Sequence, residues 1–169
     1  MSVHLKREIE SVKKHLLSLS AIVEEALWAA VRAVQERDPD IAQGVLDGDD
    51  AIDQREVAVE EECLKILALH QPVAIDLRFL ITALKINNDL ERIGDLAANI
   101  AARARYLAIQ DPVDLPFDFT SMATKTQTML RTALDALVNV DPVKAQDVCA
   151  MDDAIDTINR EMYAQVQQG

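Results

Sequence analysis

Leu5, Ile9, Val12, Leu16, Leu19, Val23, Ala26 and Ala30 step alternately by four and three residues. That spacing lays one apolar stripe along a helix of about seven turns, with Leu27 and Trp28 widening its far end. So long a helix with a single apolar face must be covered by other helices. The remaining chain supplies them. Half of all 169 residues are apolar but only 4% are aromatic, and Gly and Pro number four and five. Strands draw on β-branched and aromatic residues and on frequent turns, whereas Ala, Leu, Glu and Gln fill long helices. The fold class is all-α.

Proline and aspartate punctuate the pattern. Asp38-Pro39 offers an N-cap followed by proline at the first helical position, so the first helix stops near Arg37 and a second runs from about Pro39 to Leu69. His70-Gln71-Pro72 breaks that one, and a third is expected from about Val73 to Leu107, with Asp76 set against its N-terminal dipole. A proline-spaced linker at 110–116 precedes a fourth helix, whose Met122, Met129, Ala133, Ala136 and Val140 share a face. Asp141-Pro142 caps a fifth.

The chain is also internally duplicated. With Asp38 set against Asp141, residues 38–53 match 141–156 at ten of sixteen positions, including Asp-Pro, Ala-Gln and the run Asp-Asp-Ala-Ile-Asp. Both copies start at a helix N-terminus after a long amphipathic helix, as a duplicated helical unit requires. The expected organisation is a tandem of antiparallel three-helix bundles. The first spans 1–109, and the second, 117–169, has two helices and no third.

Composition narrows the function. A net charge of −12 excludes a substantial nucleic-acid surface, which needs clustered Lys and Arg. It suits a basic partner or bound cations, or simply keeps a helical protein soluble. No run reaches the roughly 18 apolar residues of a membrane span. Cys63 and Cys149 lack CxxC spacing and read as reduced thiols, which points to the cytoplasm.

Residues three and four apart share a helix face. Asn88, Glu91, Asp95 and Asn99 therefore form an oxygen-bearing stripe on the third helix, and Asp49, Asp53, Glu56 and Glu60 another on the second. Val45, Ile52, Val59 and Ile66 recur every seven residues, and the positions that would complete an apolar seam hold Asp49 and Glu56. If the stripes face each other, Asp49, Asp53, Glu91 and Asp95 converge, and protons or cations must neutralise them. An all-oxygen donor set favours hard cations such as Mg²⁺, Ca²⁺, Mn²⁺ or iron. Gly94, between Glu91 and Asp95, suggests a close approach or a bulky neighbour. Taken alone, the stripes suit solvated faces better than a site. His4 and His15 read as surface residues, and His70 as a loop or capping residue. No nucleophile–base pair, phosphate loop or Glu-x-x-His motif is present, so an enzyme is not expected and a carboxylate-bridged metal oxidase is disfavoured.

The run Gln71-Pro72-Val73-Ala74-Ile75-Asp76-Leu77-Arg78, followed by Asp89-Leu90-Glu91-Arg92-Ile93-Gly94-Asp95-Leu96-Ala97-Ala98-Asn99-Ile100, resembles the PhoU family of phosphate-uptake regulators. The resemblance implies a non-enzymatic negative regulator of phosphate uptake and phosphate-starvation signalling. It would act through the phosphate ABC transporter ATPase and a histidine sensor kinase. It implies a cytoplasmic protein, peripheral at the inner membrane through those partners and forming a homo-oligomer, as a dimer. It further implies metal held by paired Glu/Asp-x-x-x-Asp motifs: Asp49, Asp53, Glu91 and Asp95, with Asn99 as an extra ligand and Fe, Mg, Mn, Ca or Zn as the ion. Asp152 and Asp156 would begin a second, incomplete site. The alternative is a metal-free structural helical adapter.

Overall fold

The computed structural model describes residues 3–111 and 118–168, so most of the linker expected at 110–116 lies outside the described residues. Five helices follow one another: α1 (Val3–Glu36), α2 (Pro39–His70), α3 (Ala74–Ala108), α4 (Phe119–Asn139) and α5 (Pro142–Gln168). They fall into two compact units, Met1–Gln110 and Asp111–Gly169.

The helix ends follow the expected chemistry. Asp38 accepts hydrogen bonds from the backbone N–H groups of Asp40 and Ile41 at 2.8 and 3.1 Å, which satisfies two donors left free at the start of α2. Asp141 does the same for Val143 and Lys144, both at 3.0 Å. Asp118 caps α4 through the Ser121 N–H at 2.9 Å. Gln71 ends α2 in the left-handed region with φ 44°, and its N–H donates to the Leu67 carbonyl. Pro72 then keeps the helix from resuming.

Cross-helix pairs fix the directions in the first unit. His70 meets Glu8, His15 meets Glu62 and Arg55 meets Ser18, so α1 and α2 run antiparallel. Asn87 meets Glu56 and Arg105 meets Gln43, so α3 reverses again. Lys13 over the Phe79 ring and Arg37 on the Leu107 carbonyl keep α1 and α3 parallel.

Seven of the eight stripe residues of α1 are buried, and Ala26 is half-buried. α1 lies against both α2 and α3, whose own buried residues include Ile52, Val59, Cys63 and Ile66 of α2 and Leu80 and Leu90 of α3. Each fully buried Leu or Ile contributes roughly 1.5–3 kcal/mol. Toward the C-terminal end of α1 the core shrinks to Ala30, Ala33, Ala42, Val45, Ala97, Ala101 and Ala104, small residues that let three helices approach closely. Burial pushes the Cys63 thiol up to about 11, which leaves it protonated and inert.

The second unit is an α4–α5 hairpin with a thinner core. Ala123, Leu134 and Ala136 are buried, Met122 and Met129 only half-buried, and none of the described α5 side chains is buried. The two methionines therefore do not serve as a closed core. Val140 is 60% exposed, because it is the left-handed cap of α4 rather than part of its face.

Candidate metal centre

The seam of α3 is read from Leu80, Ala83, Asn87, Leu90, Gly94, Ala97, Ala101 and Ala104, all buried and stepping by three and four. Facing it, Ile52 of α2 sits 2% exposed between Asp49 and Asp53. A Cβ at Gly94 would lie 2.9 Å from Ile52 Cδ1 and 3.1 Å from its Cγ2. Ile52 thus packs directly on the α3 backbone at Gly94. This contact brings two carboxylates from each helix, Asp49 and Asp53 against Glu91 and Asp95, to one level of the bundle.

Their electrostatics record the meeting. Asp49 is held above the ordinary carboxylate range first by burial, then by Asp53, Asp95 and Asp50. Glu91 is raised by burial and then by Asp95, Asp53, Glu56 and Asp49. Glu56 is raised by burial and Glu60, against a lowering hydrogen bond from Asn87. The carboxylates of α2 and α3 therefore share one negative field, and a cation or a proton relieves it.

Asp49, Glu56 and Glu91 are half-buried, whereas Asp53, Asp95 and Asn99 are exposed. Asn99 lies one turn beyond Asp95 on α3. As the side chains lie, no three His, Cys, Asp or Glu among the described residues stand close enough to hold an ion. The donor chemistry and the level fit a hard cation, and rotation of the exposed Asp53 and Asp95 would have to close the shell. Asp152 and Asp156 sit exposed on α5, in the second unit.

The sequence reading passed over Asn87. It is completely buried, and its amide donates at 2.8 Å both to the Glu56 carbonyl and to Glu56 Oε1, while its Oδ1 has no partner among the described residues. The three-and-four spacing of α3 carried the signal, since Asn87 is the one polar residue in that seam. Below it, Glu56, Glu60, Leu84, Lys85, Asn88 and Asp89 line an open groove of about 480 Å³. His4 and His15 are surface residues as expected, and His15 and His70 each also meet a carboxylate. His15 faces Glu62 and His70 faces Glu8, each at 2.5 Å.

Comparison with known proteins gives a consistent picture. The family model described as PhoU domain matches residues 16–104 and 119–168. A relative from Aquifex aeolicus, a phosphate-specific transport system accessory protein PhoU homolog, is 34% identical over 164 residues, covering 97% of this chain and 72% of its own. The accessory protein PhoU of Escherichia coli K12 is 33% identical over 156 residues, 92% of this chain and 65% of that protein. The crystal structure of PhoU from Pseudomonas aeruginosa superposes with a TM-score of 0.87 at 35% identity, over 96% of this chain and 78% of that one. The phosphate transport system regulatory protein PhoU from Streptococcus pneumoniae gives 0.89 at 27% identity, over 97% and 77%.

Proposed function

This chain belongs to the PhoU family, and from that premise we propose that it is an accessory regulator of phosphate transport that restrains uptake and starvation signalling without catalysis. The observation that carries the reading is the agreement of sequence and fold with proteins named as phosphate-transport accessory and regulatory factors. Its partners would be the transporter ATPase and the histidine sensor kinase, met by helical faces, with the chain acting as a homodimer beside the membrane. No helix of the described residues is long and apolar enough to cross one.

We further propose that Asp49, Asp53, Glu91 and Asp95 bind a hard cation between α2 and α3, with Asn99 in reserve. The shared field at Asp49 and Glu91 supports this. The ion would supply the positive charge that lets α2 and α3 keep their acidic faces together. The alternative, a metal-free helical adapter, leaves both faces to water.

Two measurements separate these readings. Co-purification with the transporter ATPase and the sensor kinase should recover both; recovery of neither removes the regulatory reading. Titration of chelator-stripped protein with Mn²⁺, Mg²⁺ or Ca²⁺ should give a heat of binding that Glu91→Gln with Asp95→Asn abolishes. An unchanged titration in that variant favours the adapter.

A further inference from the structure

We propose that one end of the first unit, built from the start of α1 and the α2–α3 turn, docks directly on an anionic lipid surface. The proposal does not rest on the regulatory reading above, which places the chain beside the membrane through protein partners.

Because α2 runs against α1 and α3, this end gathers the first turns of α1 and α3 and the last turns of α2. It is also where aliphatic side chains stand in water. Val3 is 84% exposed, Val73 73%, Ile75 66% and Leu69 65%. Single exposed aliphatics are ordinary, but four collected at one end of a bundle mark a contact surface.

The turn itself departs from the capping pattern of the other helices. Asp38, Asp118 and Asp141 cap α2, α4 and α5 with a side-chain oxygen. At the same position of α3, Val73 makes no side-chain cap, and Ala74 after it takes φ 49°, uncommon for a residue with a Cβ. A polar residue would serve the helix better there. A local rule broken without structural return marks a position kept for function.

The charge of this end is opposite to that of the chain. Lys6, Arg7, Lys14, Lys65 and Arg78 are all exposed here. The acids among them are answered locally, Glu10 by Lys13 and Glu8 by His70, while Asp76 sits in the first turn of α3. Two helix N-termini against one C-terminus add to the positive field. The other end of the unit also exposes Tyr106 and Ile109, but Glu36, Asp38, Asp40 and Asp111 leave it without excess positive charge.

The occupant follows from shape and charge together. A partner helix needs a groove, whose walls are partly covered. Side chains about two-thirds or more exposed project instead, and can sink into the fluid boundary of a bilayer. The surrounding Lys and Arg then meet anionic headgroups.

The test uses the full chain with vesicles of phosphatidylglycerol and phosphatidylcholine, read by co-sedimentation, and pure phosphatidylcholine vesicles as control. Binding to the anionic vesicles is expected, weakening as salt is raised. It should fall by about 10-fold or more in Lys6→Gln with Arg7→Gln and in Val73→Ser with Ile75→Ser, and stay unchanged in Tyr106→Ser. Serine at 73 can cap α3, so that variant should keep the helical circular dichroism of the parent. No binding to anionic vesicles, equal binding to neutral ones, or binding retained by both variants of this end overturns the proposal. So does loss of a protein partner in those variants without any vesicle binding, which would assign the end to that protein.

Discussion

Gly94 and Ile52 set how closely α2 and α3 approach at the acidic level. A methyl group at Gly94 would press on Ile52 at 2.9 and 3.1 Å, and Ile52 is a β-branched side chain with little rotamer freedom. Gly94→Ala gains about 1 kcal/mol of helix propensity and loses roughly 1–3 kcal/mol to overpacking. The expected outcome in urea unfolding is a net destabilisation of about 1 kcal/mol, and the proposed cation site should bind Mn²⁺ more weakly because Asp49 and Asp53 are pushed away. Gly44 and Gly48 have nothing within 4 Å of an added Cβ. Ala at either position should raise stability by up to about 1 kcal/mol in the same assay. Asn87 belongs to this scale too. Its two bonds to Glu56 tie α3 to the α2 backbone at one register, a role that single buried polar residues perform in helix seams.

Between helices, caps and charge decide. Asp38→Ala removes the acceptor for two N–H groups at the start of α2 and should cost about 1 kcal/mol in unfolding free energy. The acidic level has the opposite sign. Asp49 and Glu91 are held above their ordinary values of 3.8 and 4.5 by burial first and by facing carboxylates second. Between the ordinary and the raised values the folded chain therefore binds more protons than the unfolded one. These two groups destabilise the metal-free fold at neutral pH, and that penalty fades as pH falls through the raised values and is gone below the ordinary ones. Asp49→Asn with Glu91→Gln should raise the Tm of metal-free protein near neutral pH. The gain should shrink as the buffer is taken down toward about pH 4, and the variant should lack the rise in Tm that Mn²⁺ would give the parent through the proposed site. A gain that does not vary with pH would contradict the shared field.

Across the whole chain, the two units differ in what they bury. The first encloses Leu16, Leu19, Ile52, Ile66, Leu80 and Leu90 almost completely. The α4–α5 hairpin buries only Ala123, Leu134 and Ala136 among its described residues. Local opening free energy follows buried apolar contact. In hydrogen exchange on the intact protein, amides of α4 and α5 should exchange well before those of α2 and α3 outside their last turns. Equal protection would mean that another surface covers the hairpin in solution.

The sequence by itself determined the helices, their order and most of their ends, because periodicity, caps and proline act over a few residues. The α1 stripe, Asp38-Pro39 and Asp141-Pro142 each specified structure without reference to the rest of the chain. It also brought forward the acidic residues on α2 and α3, and the spacing around Gly94 that signals close approach. Only the tertiary structure decided how those stripes meet. The contact of Ile52 on Gly94 joins residues far apart in sequence, and no helical period reports it. The same holds for Asn87 on Glu56, for the half-burial of Met122 and Met129, and for His70 on Glu8. Each depends on the register of one helix against another, which is set by packing over the whole bundle rather than by neighbours along the chain.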